Sequence, residues 1–235
     1  TGGAKRLSYA ASFGKTNFDA ATTRVYQQML ASYDKITVRE DSAVQMLESW
    51  GAKNCYGQVL DPTLLLSADE WIDLLVYEEM QIKYASQKYI LVYQIHNDRQ
   101  LSSYALRLAA HTGLKLLRVN PFMHQVHRGG KFVLCPDVTE FLSLIKNATY
   151  IVTDSFHGTC FSLTFEKQFI EVLPNNTTGT RNQSILALTG LSNRIVYDFD
   201  DFSIINRMIN YQPVREILAK ERGRSVKMSK CLLNS

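Results

Sequence analysis

Short apolar runs alternate with amphipathic stretches of helical period along most of the chain. Leu7–Phe13, Lys35–Arg39, Leu114–Val119, Tyr150–Thr153 and Phe169–Leu173 read as strands. Tyr89–Ile95 is almost wholly apolar, the pattern of a strand buried on both faces. Val59-Leu60, then Asp61-Pro62 and Thr63–Leu66, read as a strand broken by a turn. Between these runs, Ala20–Ser32, Asp41–Trp50, Ala68–Met80, His157–Phe165 and Gln183–Thr189 read as helices. Leu101, Tyr104, Ala105, Leu108 and Ala109 share one face of another, which Gly113 ends. Asp137, with Glu140 three residues on, carries the cap of a further helix. The stretch holding Pro121, Gly129 and Gly130, and the polar Asn175–Thr180, read as loops.

Strands separated by helices need crossover connections, so the fold class is α/β with parallel sheets. The polar Ser86–Lys88 is the expected seam between two such units. The first unit has few strands for a complete doubly wound sheet, so the chain is expected to start within that domain. No internal repeat or low-complexity segment is visible.

Composition adds little. Apolar residues are 46% and charged residues 20% of 235, ordinary for a globular protein. No run approaches the ~20 apolar residues of a membrane span, and no apolar signal segment opens the chain. Arg215, Lys220, Arg222, Arg224, Lys227 and Lys230 stand against Glu216 and Glu221, as large an excess as the formal net charge of +4. The body is therefore close to neutral, which argues against a nucleic-acid partner. A basic tail is usually a solvated helix end, and it also suits peripheral contact with an anionic membrane surface. Cys55, Cys135, Cys160 and Cys231 are far apart, which fits a reducing cytosol and neither a zinc site nor a disulfide framework. The expected location is cytoplasmic, including the inner face of the membrane.

The strongest local signal is Thr153-Asp154-Ser155-Phe156-His157-Gly158-Thr159, where a buried strand gives way to a helix. In open parallel sheets, ligands bind at the carboxyl ends of strands. A helix N-terminus there suits phosphate or carboxylate. Gly158 permits close backbone approach, and His157 can donate a proton or steady an anion near neutral pH. The same residues also read as a tight turn capped by Ser155. Arg39, in Thr37-Val38-Arg39-Glu40-Asp41, lies at another strand end and has the fork that matches phosphate or carboxylate. Taken alone, it reads more readily as a surface arginine paired with Glu40 or Asp41. Arg181 stands between the polar loop and a helix, where it can close over an anion or stay solvated. Asp61-Pro62 places a carboxylate in a cleft or merely makes a turn. His124 and His127 have a spacing open to a metal, but they lie in a loop with no third ligand in view. Of the five histidines, His157 alone is expected between a strand end and a helix start; His96 follows an apolar strand and His111 lies in a helix. No GxGxxG, GxxxxGK[ST] or GxSxG loop occurs.

Taken in order, the blocks Ser8-Tyr9-Ala10-Ala11-Ser12-Phe13-Gly14, Thr37-Val38-Arg39-Glu40, Asp61-Pro62-Thr63, Thr153 to Thr159, and Arg181 followed by Leu186 to Gly190-Leu191 resemble the polysaccharide pyruvyl transferase family. The resemblance implies two Rossmann-like domains in a GT-B-like arrangement. Residues 1–85 would form the C-terminal part of the first, 86–200 the second with the donor site, and 201–235 a C-terminal helical tail. It implies phosphoenolpyruvate as donor and a saccharide or lipid-linked saccharide as acceptor; separately, no cofactor and no metal are expected. His157 and Arg39 would be catalytic, their strand ends facing one cleft. Asp154, Ser155, Gly158, Thr159, Arg181 and Asp61 would bind substrate. Two other readings share the architecture: a nucleotide-sugar glycosyltransferase or epimerase of GT-B type, and a non-catalytic relative that binds an anion or a partner.

Overall fold

The computed structural model of the chain describes residues 4–74, 84–174 and 179–234. The chain divides into two compact units: Thr1–Leu65 with Asn176–Gly190 and Gln212–Ser235, and Leu66–Asn175 with Leu191–Tyr211. Among the described residues each unit holds one sheet, and every strand pair is parallel.

In unit one, β1 (Leu7–Ala11), β2 (Lys35–Val38) and β3 (Cys55–Gln58) lie in the order β1-β2-β3. Helices α1 (Ala20–Leu30) and α2 (Asp41–Ser49) make the crossovers. Ile36 and Val38 of β2 pack with Ala43 and Leu47 of α2 in a small buried core. The expected strand at Val59-Leu60 is corrected: β3 is the preceding Cys55–Gln58, and Val59 and Leu60 are buried just beyond it. The shift has a cause in the edge position, which leaves Tyr56 and its neighbours only half-covered and removes the usual apolar alternation.

Helix α3 (Ala68–Leu74) opens the second unit; the rest of the helix expected to Met80 lies outside the described residues. The strands that follow are β4 (Tyr89–Tyr93), β5 (Lys115–Asn120), β6 (Lys131–Leu134), β7 (Tyr150–Thr153) and β8 (Gln168–Glu171), in the order β6-β5-β4-β7-β8. Helices α4 (Arg99–Thr112), α5 (Val138–Asn147) and α6 (Phe156–Thr164) connect them. The four apolar residues Tyr89 to Val92 are fully buried. Ile90 and Val92 face the α4 core of Leu101, Tyr104 and Leu108, while the Tyr89 hydroxyl donates to Leu144 O of α5 at 2.7 Å. The continuous apolar run thus reflects helices on both faces. Asp98 caps α4 through Gln100 N, and Gly113 ends it in the left-handed region at φ 69°.

β6 falls in the stretch read as a loop. It is an edge strand, half-exposed, and a 3-10 turn at Met123–Arg128 precedes it, carrying His124 and His127. Helix α7 (Thr180–Leu188) starts earlier than the expected Gln183, so Arg181 stands in its first turn rather than in a loop. No described helix is long and apolar enough to cross a membrane.

The last helix, α8 (Tyr211–Leu233), buries Tyr211, Val214, Leu218, Glu221, Ser225 and Leu232, a stripe at coiled-coil-like spacing. Lys220, Arg224, Lys227 and Lys230 are exposed. The Ser225 hydroxyl, fully buried, accepts from Leu60 N at 2.9 Å, which pins α8 beside the exit of β3. Ser225→Ala leaves that amide buried without its partner and is expected to lower stability by about 1–3 kcal/mol. Urea unfolding measures it, and an unchanged midpoint shows that the helix is held by its apolar stripe alone.

Candidate functional site

Both sheets end in buried carboxylates that collect backbone amides. In unit one this is Glu40, which caps α2 and is fully buried. Its Oε1 accepts from Ser12 Oγ, Phe13 N and Gly14 N, each at 2.9 Å, and so shapes the loop after β1. Gly14 follows with φ 65°. Beside it Ala10 also sits in the left-handed region, at φ 52°. That conformation is costly for alanine. It is held by Thr37 Oγ1, which accepts from Ala10 N at 3.0 Å, and by Arg39 Nε, which donates to Ala10 O at 2.6 Å.

Arg39 also pairs with Asp61, Nη1 to Oδ2 at 2.5 Å, and the Asp61 side chain is only 1% exposed. Asp61 Oδ1 in turn accepts from the amide and hydroxyl of Thr63. Arg39 thus pairs with Asp61 and has a structural duty at two neighbouring strand ends. Tyr9 closes the group, donating to Leu60 O at 3.2 Å; burial pushes its phenol up. Arg181 lies close by, its Nε 3.9 Å from where a Cβ on Gly14 would stand. Ser184, one turn on in α7, accepts from Asp41 N and from Gln58 Nε2. An open cavity of about 430 Å³ lies here, bordered by Asp41, Ser42, Gln58, Thr180 and Gln183.

In unit two the order β6-β5-β4-β7-β8 reverses direction between β4 and β7. That is the topological switch point, where crossovers leave on opposite faces and a crevice opens at the strand ends. The segment Thr153 to Thr159 and His96 both stand there. Asp154, the first residue after β7, has a side chain 1% exposed. Its Oδ1 accepts from Ile95 N at 2.6 Å, and its Oδ2 accepts from His96 N at 2.9 Å and lies 3.2 Å from His96 Nδ1. Burial pushes the Asp154 carboxyl up, and these bonds oppose the shift.

Thr153 Oγ1 donates to Tyr93 O and accepts from Ser155 N, stitching the ends of β4 and β7 together. Ser155 caps α6, its Oγ accepting from Gly158 N at 3.3 Å. Gly158 is set by packing: a Cβ there would lie 2.3 Å from Thr153 Oγ1 and 3.0 Å from the Tyr93 ring. Thr159 is fully buried and donates to Glu171 at the end of β8. His157 is exposed on the first turn of α6, its ring edge-on to Phe156.

His157 is not the sole histidine between a strand end and a helix start. His96 stands between β4 and the Asp98 cap of α4, and it is the one tied to a carboxylate. Neither His96 nor Glu40 was singled out by spacing. The available signal was position: each lies one to three residues past an apolar strand. Among the described residues, no three His, Cys, Asp or Glu side chains are grouped for a metal.

The family model for polysaccharide pyruvyl transferase matches residues 2–177. No individually curated protein matches significantly. Among solved structures, the chain is similar to the UDP-GlcNAc 2-epimerase of Neisseria meningitidis bound to UDP-GlcNAc. The TM-score is 0.65 and the identity 12%, over 98% of this chain and 70% of that one. The UDP-GlcNAc 2-epimerase of Methanocaldococcus jannaschii matches at TM-score 0.60 and 13% identity, over 95% and 70%. The S. aureus MnaA–UDP co-structure matches at 0.55 and 17%, over 92% and 60%. At these identities the likeness is one of fold, that of GT-B-type enzymes.

Two outcomes test the unit-two geometry. Gly158→Ala is expected to cost about 1–3 kcal/mol from overpacking, read by urea unfolding; no loss shows that the strand end can give way. For Asp154 the sign follows from its raised carboxyl. Its stabilising contribution is fully present below the unfolded value, near pH 4, and is lost as pH rises through the folded one. The stability of wild type relative to Asp154→Asn should therefore fall as pH rises from about 4 to 7. A relative stability that rises over that range contradicts the raised carboxyl.

Proposed function

Because the chain belongs to the polysaccharide pyruvyl transferase family, we propose that it moves the enolpyruvyl group of phosphoenolpyruvate onto a saccharide or lipid-linked saccharide as a pyruvate ketal, releasing phosphate. The observation that supports this most is the first turn of α6. An exposed imidazole, His157, stands on a helix N-terminus at the switch point of a parallel sheet. That combination favours a phosphoryl or carboxylate group.

Ketal formation requires a proton at the methylene carbon of the enol phosphate. The C2 centre then becomes oxocarbenium-like, two hydroxyls bond to it, and phosphate departs. A donor with up to three negative charges must be held while charge shifts. In this reading His157 delivers the proton or contacts the donor directly. The amides of Ser155, Gly158 and Thr159 already donate within the protein, so these residues shape the first turn of α6 where the anion is proposed to rest, and Asp154 holds its wall. Arg39, Asp61 and Arg181 are the corresponding strand-end groups of unit one, proposed to bear on the substrates. Arg39 does so only beyond its duty to Asp61 and Ala10.

The test is phosphate release from phosphoenolpyruvate with galactose, mannose and N-acetylmannosamine acceptors, and ketal detection by NMR. His157→Gln should lower kcat by ~10²–10⁴-fold, the usual contribution of a general acid, with the fold intact by circular dichroism. Full activity in that variant removes His157 from the chemistry. Absence of phosphate release with any acceptor, together with tight binding of a nucleotide sugar, supports the epimerase or glycosyltransferase reading instead. Arg39→Ala should weaken phosphoenolpyruvate binding by ~2–4 kcal/mol by calorimetry. Unchanged affinity in folded protein confines Arg39 to its ion pair.

A further inference from the structure

The least explained feature of unit two is the company that Asp154 keeps. It is a carboxylate sealed from water at a strand end, and both of its oxygens are occupied. Among the described residues, the ionisable group that touches it is His96. Two of its bonds are backbone clamps and explain the position of the Ile95-His96 loop. The third, to Nδ1, does not hold the loop, because His96 N already reaches the same oxygen. It holds the ring.

An ionised carboxylate only accepts, so the ring nitrogen facing it must carry the hydrogen. In a neutral imidazole the lone pair then sits on Nε2. That nitrogen has no hydrogen-bond partner among the described residues, and the His96 side chain is 34% exposed. The ring therefore has one face of its chemistry fixed and the other open, at the switch point where ligands bind in such sheets. The neighbouring groups do not compete for Nε2. Gln94 and Asp98 engage the His96 backbone, and Arg128 turns to Asn97 and Ser102.

We propose that Asp154 and His96 act as a carboxylate–imidazole pair: Asp154 is the positioning residue, and Nε2 of His96 accepts the proton of the saccharide hydroxyl that attacks the donor. The proposal rests on the pyruvyl-transfer reading and adds the base that reading lacks. The proton count shows the need for one. Two hydroxyls become two C–O bonds at C2, so two protons must leave. One is matched by the proton gained at the methylene carbon, which becomes a methyl. The other leaves as the second oxygen bonds to C2 and the C2–O bond to phosphate breaks, with its electron pair going to phosphate. His96 takes that proton from the hydroxyl and yields it to the departing phosphate, which restores neutral imidazole.

The test uses the full chain and two variants. His96→Gln keeps the backbone amide that Asp154 clamps, so it isolates the ring. Its kcat should fall by ~10²–10⁴-fold, while KM for phosphoenolpyruvate stays within about threefold, as for an interaction used in the transition state and not in donor binding. Nitrogen-15 NMR of histidine-labelled protein should show His96 with hydrogen on Nδ1 and none on Nε2. In Asp154→Asn that tautomer should no longer be enforced, and kcat should fall with it. A His96→Gln enzyme within about threefold of wild-type kcat overturns the proposal and leaves the pyruvyl-transfer reading standing. So does a wild-type ring protonated on Nε2. A wild-type protein that makes no ketal with any acceptor overturns both.

Discussion

Asp154 gathers the amides of Ile95 and His96 from across the strand boundary, and much of unit two's strand-end geometry follows from that bond set. Parallel neighbours β4 and β7 carry crossovers to opposite faces, so their ends tend to splay and expose backbone N–H groups. A buried carboxylate between them closes the gap and leaves a defined crevice above it. Unit one, whose order β1-β2-β3 has no such reversal, uses a carboxylate in a similar way: Glu40 takes the amides of Phe13 and Gly14 at the end of the neighbouring β1. In both units an acid one or two residues past a strand binds the loop of the strand beside it. Such a group is costly to bury unless its lone pairs are filled, and here backbone amides fill them.

This arrangement divides labour among the polar residues. Asp154, Ser155, Thr153 and Gly158 are occupied with one another and with backbone, so their contribution is shape. Arg39 spends its Nε on the strained Ala10 carbonyl and one Nη on Asp61. His157 and His96 both stand at the ends of these strands. They differ in kind: His157 stands on the positive end of α6, whereas His96 is backed by a carboxylate. In the proposed reactions these two settings suit different proton roles, His157 toward the donor and His96 toward the acceptor hydroxyl.

Much of the frame was legible in the sequence because it is local. The run Tyr89 to Val92 announced a doubly covered strand, and Asp98 with Gly113 bounded α4. The Thr153–Thr159 segment reads as strand, turn and helix, and it forms them. What was not legible is long-range or half-buried. Strands β3 and β6 lie at sheet edges, where half-exposed side chains erase the alternation that marks a strand. The Asp154–His96 contact joins residues 58 apart in sequence, and the Ser12–Glu40 contact joins residues 28 apart. No periodicity records such pairs. Return of α8 to unit one through Ser225 and Leu60 has the same character.

In the proposed function the donor sits at the switch point of unit two. A crystal of the protein soaked in phosphoenolpyruvate tests it most directly. Density for the phosphoryl or carboxylate group is expected at the first turn of α6, within hydrogen-bond reach of His157, with His96 still held by Asp154. Density for the donor only at sites remote from β4 and β7, with that turn left bare, would contradict it.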